Sequence, residues 1–338
     1  MQRYYHQNPN ALEEHRQFEI STKEFISKRQ TAQPYIIPVV VHVYGKIFSG
    51  TKVDETIIKT AIDKVNEDFQ GRNDDFNTVN SAFKEIKSAF SVTFKLATLD
   101  PDGKSTTGIV WYDEPRYGYA TGMFEDWIQY DAWDNYKYCN VYIQSDIYGN
   151  GDLTQSGVAW FPDSFMSDKN LARIVYNGRH LYGNTNKEFA SMLTHEFGHW
   201  LNLFHTFEAG CMESSEGPCD KTGDRVCDTP QTISKDGCEP VYNCAGKLEN
   251  SENYMSYTGA DGYHLIQILD FDIVGLNYFK KALGFVSADG NFHLRLGFRN
   301  LLERLLLLVK SKKNSLVKNP ELTHDHIEND IFKKLIEL

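Results

Sequence analysis

The chain has 338 residues, 41% hydrophobic and 13% aromatic, enough for one large domain or two ordinary ones around a substantial core. A formal net charge of −11, without a long Lys/Arg stripe, argues against a nucleic-acid partner. No apolar run approaches the ~20 residues needed to cross a bilayer, so no membrane span is expected.

Residues 1–33 read as a helical, highly charged lead-in, with Leu12, Phe18, Ile20 and Phe25 at loosely helical intervals. The opening MQRYYHQNPNALEEHRQ is polar and lacks the apolar stretch of a signal peptide. YIIPVVVHVYG, Tyr35 to Gly45, predicts a buried strand in which His42 is a satisfied core residue rather than a ligand. Asp54 then caps a helix through about Phe69, whose Ile57, Ile58, Ala61, Ile62, Val65 and Phe69 follow the 3.6-residue period. A strand over Val92 to Ala97 ends in the turn DPDG, and Ile109 to Tyr112 adds a short extended piece. Strand, helix and strand in that order predict a right-handed crossover and a mostly parallel sheet. Cys139 to Gln144 is another strand, Gly157 to Phe161 a short strand and loop, and Arg173 to Tyr176 one more strand.

A helix over Asn186 to Leu203, with Phe189, Met192, Leu193, Phe197 and Trp200 for its apolar contacts, carries HEFGH. At about 100° per residue, His195 and His199 lie one turn apart on one face, where both imidazoles reach a single metal ion. Glu196 leaves the same turn, placed to polarise a metal-bound water without being a ligand. His205 offers a third nitrogen. Six residues beyond His199, a continuous helix would turn it roughly 240° away, so the chain must leave the helix first. Asn202 sits where that break is needed, and Asn tolerates a left-handed backbone at a helix end.

Five of the six cysteines, Cys211, Cys219, Cys227, Cys238 and Cys244, crowd into the stretch that follows. They could form a second zinc site, but without paired CxxC spacing disulfides are the better reading, and these imply an oxidising compartment. Within the same stretch, GDRVCDTP (Gly223 to Pro230) offers carboxylate and hydroxyl oxygens from Asp224, Asp228 and Thr229, either for a hard cation or simply to shape a turn. NYMSY, Asn253 to Tyr257, follows about fifty residues after the histidines. A closing helix is expected over about 265–283, and residues 285–338 include an amphipathic stretch, LLERLLLLVKSKKNSLVK, that packs on the domain or binds a partner.

HEFGHWLNLFH resembles the extended zinc motif HExxHxxGxxH of the metzincin metallopeptidases, with Asn202 where the motif usually has Gly. The HTF that follows, GDRVCDTP and NYMSY make the chain similar to the pappalysin branch, which includes cytophagalysin-like and ulilysin-like bacterial proteases. The resemblance implies an α+β metzincin-like catalytic domain: a twisted, mostly parallel sheet with an antiparallel edge strand, an active-site helix and a loop-rich C-terminal part. It would occupy residues 34–284, with the upper part ending near residue 202. Residues 1–33 would be a propeptide remnant or a solvated helix, and 285–338 a tail of unassigned role.

The resemblance also implies roles. Zn²⁺ would be held by His195, His199 and His205, with Glu196 as general base. Met255 would lie as a polarisable floor beneath the histidines, and Tyr257 would donate a hydrogen bond to the tetrahedral intermediate. Calcium would bind at Asp224, Asp228 and Thr229. Substrate would pair with an edge strand at Gly157, Val158 and Ala159, and Asp261 would favour basic residues beside the cut. The family pattern pairs Cys244 with Cys211 or Cys219 and leaves Cys238 without its expected mate. The implied protein is a secreted or extracellular, bacterial, monomeric zinc endopeptidase acting on proteins or peptides, whose signal peptide is not in this chain. The rival is an inactive metzincin-fold metal-binding or adhesion module, disfavoured by a complete ligand set with Glu196 intact.

Overall fold

The computed structural model describes residues 10, 13, 17, 35–85, 87–116, 127–161, 164–181, 191–212, 217–219, 221–227, 229–233, 242–249 and 253–257. Of the lead-in, Asn10, Glu13 and Gln17 are helical. The expected closing helix, Asp261 and the 285–338 tail lie outside the described residues, as do Asp228 and Cys238.

The fold is organised on β1, Tyr35–Tyr44, whose β-branched run is buried on both faces from Val39 onward, as suits a central strand of a parallel sheet. Beyond a small hairpin of β2, Ile47–Phe48, and β3, Thr51–Lys52, the chain enters α1, Glu55–Phe69. Asp54 caps α1 by accepting from the Ile57 N–H at 3.1 Å, and Ile58, Ala61, Ile62, Val65 and Phe69 face inward at helical spacing. Asn66 clamps α1 to β4, Val92–Leu96: its amide donates to the Phe94 carbonyl at 2.8 Å and accepts from the Phe94 N–H at 2.7 Å. A buried polar side chain is satisfied by doing so.

The two short strands that follow β1's edge share it. β4 pairs in parallel with Tyr35 to Val39, and β5, Ile109–Tyr112, with Val41 to Tyr44. They change over where Ala97 donates to the Val39 carbonyl and Val41 to that of Gly108. Gly108 has φ +73°, and a Cβ there would lie 2.6 Å from the Ala97 nitrogen, so the changeover requires glycine. On β1's other side come β6, Cys139–Gln144, then β8, Arg173–Asn177, both parallel. β7, Gly157–Ala159, pairs antiparallel with β8 and ends the sheet. The order β4-β1-β6-β8-β7, with β5 beside β1, is the expected mostly parallel sheet with an antiparallel edge, and the architecture is α+β.

One face of the sheet takes α1 and α3, Met192–Trp200, through a ladder of rings in which Phe94 lies 5.3 Å from Phe69 and 4.4 Å from Phe197. The other face is covered by residues around the short α2, Ser164–Asp168, with Tyr44, Ile128, Tyr142, Ile147, Trp160 and Val175 in its core. His42 is enclosed on this side, as its apolar surroundings predict. Asn140 Oδ1 accepts from its Nε2 at 3.0 Å, the Tyr112 hydroxyl lies 3.1 Å from its Nδ1, and it stacks on Tyr142 at 4.7 Å. After Trp200 the described residues form no helix and only isolated bridge positions, at Met212, Tyr242, Leu248 and Asn253, and disulfides join Cys211 to Cys244 and Cys219 to Cys227. The Cys211 partner for Cys244 is one of the two that the family pattern allowed.

Candidate metal centre

α3 is shorter than the sequence pattern predicts, ending at Trp200 rather than Leu203, and the reason is its C-terminal cap. Asn202 has φ +76°; its N–H donates to the His199 carbonyl at 2.8 Å while that of Leu203 reaches back to Gly198 at 2.9 Å. This pair of bonds is a Schellman motif with Asn in the left-handed position that Gly usually takes. The reversal brings His205 back over the face that carries His195 and His199. The three histidines have ligand atoms within 4.8 Å of one another and form the only such cluster among the described residues.

Each ring is oriented from behind. His195 Nδ1 bonds to the Tyr254 carbonyl, His199 Nδ1 to the Leu203 carbonyl at 2.7 Å, and His205 Nδ1 to the Glu208 carboxylate at 3.1 Å. Carbonyls and carboxylates only accept, so the proton of each ring sits on Nδ1 and Nε2 presents a bare lone pair. His199 Nε2 and His205 Nε2 lie 3.0 Å apart. Two lone pairs at that separation repel unless a cation lies between them, so the donor set fits a divalent metal that accepts imidazole nitrogen.

The segment Asn253 to Tyr257 closes the site from below. Asn253 Oδ1 accepts from the Met255 N–H at 2.8 Å, and the Met255 carbonyl accepts from Thr206, next to His205, at 3.1 Å. Met255 is buried, and its sulfur lies against Gly198: a Cβ on that residue would overlap it. Tyr257 is half-exposed, its ring 4.6 Å from that of His205 and 5.9 Å from that of His195.

Residues 122–271 match the model of the Peptidase_M43 family, described as pregnancy-associated plasma protein-A. An extracellular metalloprotease of Sordaria macrospora is 35% identical over 132 residues, 36% of this chain and 42% of that protein. One from Podospora anserina is 28% identical over 235 residues, 68% of each. Among solved structures, mature mirolysin of Tannerella forsythia in complex with a cleaved peptide aligns with a TM-score of 0.57 and 26% identity over 74% of this chain and 91% of that one.

Over residues 122–271 the chain is similar to the pappalysin family, and its metalloprotease relatives agree with that likeness. The Sordaria alignment spans under half of that relative's length, and the curated relatives named above are fungal, so a bacterial origin gains no support from them.

Electrostatics at the site follow from burial. Burial, aided by the nearby His205, pushes the His195 imidazole down to about 4, and burial holds His199 well below the ordinary histidine value. Both are therefore neutral and able to donate a lone pair at physiological pH. Burial likewise pushes the Glu196 carboxyl up to about 8, and its Oε2 has no hydrogen-bond partner among the described residues. A buried carboxyl with a free oxygen beside three imidazoles is poised to exchange a proton.

The edge strand runs directly over that carboxylate. A Cβ on Gly157 would lie 2.9 Å from Glu196 Cγ and 3.0 Å from Oε1, so only glycine lets β7 approach so closely. Of the other residues singled out from the sequence, Val158 and Ala159 share β7, and Thr229 is buried in the disulfide-bonded stretch with Asp224, whose Oδ1 accepts from the Val226 N–H at 2.9 Å.

Sequence reasoning passed over Gly198, Glu208 and the aromatic wall of Phe161, which lies 5.2 Å from His199 and stacks on Phe204 at 5.0 Å. Gly198 carried a signal, since glycine inside a helix costs about 1 kcal/mol relative to alanine and needs a packing reason. Phe161 carried none, because its approach to the triad depends on how β7 folds over α3.

Proposed function

We propose that this chain is a zinc endopeptidase, and that residues 34–284 form the peptidase unit. The observation that carries the reading is the convergence of three imidazole lone pairs beside the buried Glu196 carboxyl, whose Oε2 has no hydrogen-bond partner among the described residues. His195, His199 and His205 would hold the zinc. When bound, it would supply Lewis acidity towards a peptide carbonyl and lower the pKa of a water molecule.

The chain's own residues supply the remainder. β7 ends the sheet, so its outer edge is suited to receive an extended peptide by main-chain hydrogen bonds, holding the scissile bond beside Glu196. Glu196 takes the proton of the attacking water on a carboxylate oxygen and passes it to the leaving amine nitrogen as the C–N bond breaks. Tyr257 donates its hydroxyl proton in a hydrogen bond to the developing oxyanion, a contribution of about 3 kcal/mol where such donors have been removed. Gly198 and Met255 pack against each other to keep His195 and His199 in place.

Replacing the carboxyl while keeping the ligands separates this reading from a metal-binding module. Glu196→Ala is expected to retain zinc and to lose nearly all cleavage of a peptide library; normal turnover would refute the assignment. The same library tests the preference for basic residues through Asp261, which fails if wild-type cuts show no enrichment of Arg or Lys. Calcium at Asp224, Asp228 and Thr229 belongs to the same reading. Calcium is then expected to raise the melting temperature of chelator-treated protein, and an unchanged temperature removes it. The location proposed is extracellular, consistent with the two disulfides, and the active form is a monomer.

A further inference from the structure

The three histidines are not braced alike. His195 and His199 ride on α3, whose backbone fixes where their Cβ atoms point, and each Nδ1 meets a main-chain carbonyl that cannot move without unfolding the turn behind it. His205 lies three residues beyond the left-handed Asn202, outside any regular element. Its ring is held by side chains: Phe207 stacks parallel to it at 4.9 Å, Tyr257 meets it edge-on at 4.6 Å, and Glu208 Oε2 takes its Nδ1 proton at 3.1 Å. The Glu208 N–H also donates to the His205 carbonyl at 3.0 Å, so the two residues form one tight turn.

Of the three acceptors, Glu208 alone carries charge. A carboxylate behind an imidazole does two things that a carbonyl does less well: it fixes the tautomer against rotation of a ring on an irregular segment, and it raises the electron density at the distal nitrogen.

Resting on the zinc reading above, we infer that Glu208 is a positioning residue that sets how tightly the third histidine, His205, holds the metal. It touches neither substrate nor metal. Its removal acts through His205: the Nδ1 proton loses its acceptor, the ring is free to turn, and the off-rate of the metal rises. Outer partners of this kind are commonly worth 10–100-fold in metal affinity.

The test uses the 338-residue chain and zinc itself, by competition with a chromogenic chelator, for wild type, Glu208→Gln and Glu208→Ala. The wild-type chain is expected to bind one zinc. Glu208→Ala is expected to bind it 10–100-fold more weakly, and Glu208→Gln, which keeps a neutral acceptor, to fall between the two. Both variants are expected to match the wild-type melting temperature in the zinc-free state, which distinguishes loss of a metal brace from loss of fold. Wild-type protein that binds no zinc would overturn the zinc reading and this inference with it. Wild-type binding with Glu208→Ala within about twofold would overturn the inference alone, leaving the zinc reading intact. A weakened affinity matched by an equal loss of zinc-free stability would also overturn it.

Discussion

Gly198 shows how a side chain's absence can determine a site. By intrinsic propensity, alanine would stabilise this helix position by about 1 kcal/mol. Here a Cβ would overlap the Met255 sulfur, lie 3.3 Å from its terminal methyl, and meet the Leu203 side chain at 3.4 Å. Overpacking a filled site typically costs 1–3 kcal/mol, so the clash outweighs the propensity. Gly198→Ala is expected to lower the denaturant midpoint and weaken zinc binding, because Met255 belongs to the turn whose Tyr254 carbonyl orients His195; a higher midpoint would contradict this. Met255 was legible in the sequence as a motif position, and Gly198 only as a glycine inside a helix. Their mutual dependence was not, since nearly sixty residues separate them and only the return of the chain beneath α3 brings them together.

Among the elements, β1 was the easiest to read and holds the least obvious consequence. Its apolar run announced a central strand, and His42 within it announced a buried, satisfied imidazole. The price of that satisfaction appears at low pH. Burial pushes the His42 pKa down to about 4 from an ordinary 6.5, against the opposing pull of Asn140 and Asp131. Between those values the unfolded chain takes up a proton that the folded chain refuses, so stability declines as pH falls from about 6.5 to about 4, by about 3 kcal/mol at full effect. His42→Gln keeps a hydrogen-bonding side chain and removes the titration. Its unfolding free energy is expected to fall less than that of wild type across this window, and parallel curves would contradict the assignment. Helix boundaries were less legible. The helical period continues to Leu203, but the left-handed backbone at Asn202 closes α3 at Trp200, and this competition between propensity and capping is what allows His205 to face the other two histidines.

At the scale of the molecule, the mostly parallel sheet was readable because β1, α1 and β4 follow one another with their periods intact. The edge role of β7 was only half readable: three residues, Gly157, Val158 and Ala159, carry little pattern, and antiparallel pairing with β8 depends on a long-range contact. The histidine triad, Met255 and Tyr257 were legible as spaced residues, whereas the brace behind His205 and the contact of Gly157 with Glu196 belong to tertiary packing. The central claim joins these parts into one metal-dependent peptidase. Digestion of a casein substrate by purified protein, with metal analysis before and after treatment with a zinc chelator, tests it most directly. The account predicts one zinc per chain, loss of cleavage when the metal is removed, and recovery when zinc is restored. Cleavage that persists in metal-free protein would contradict it.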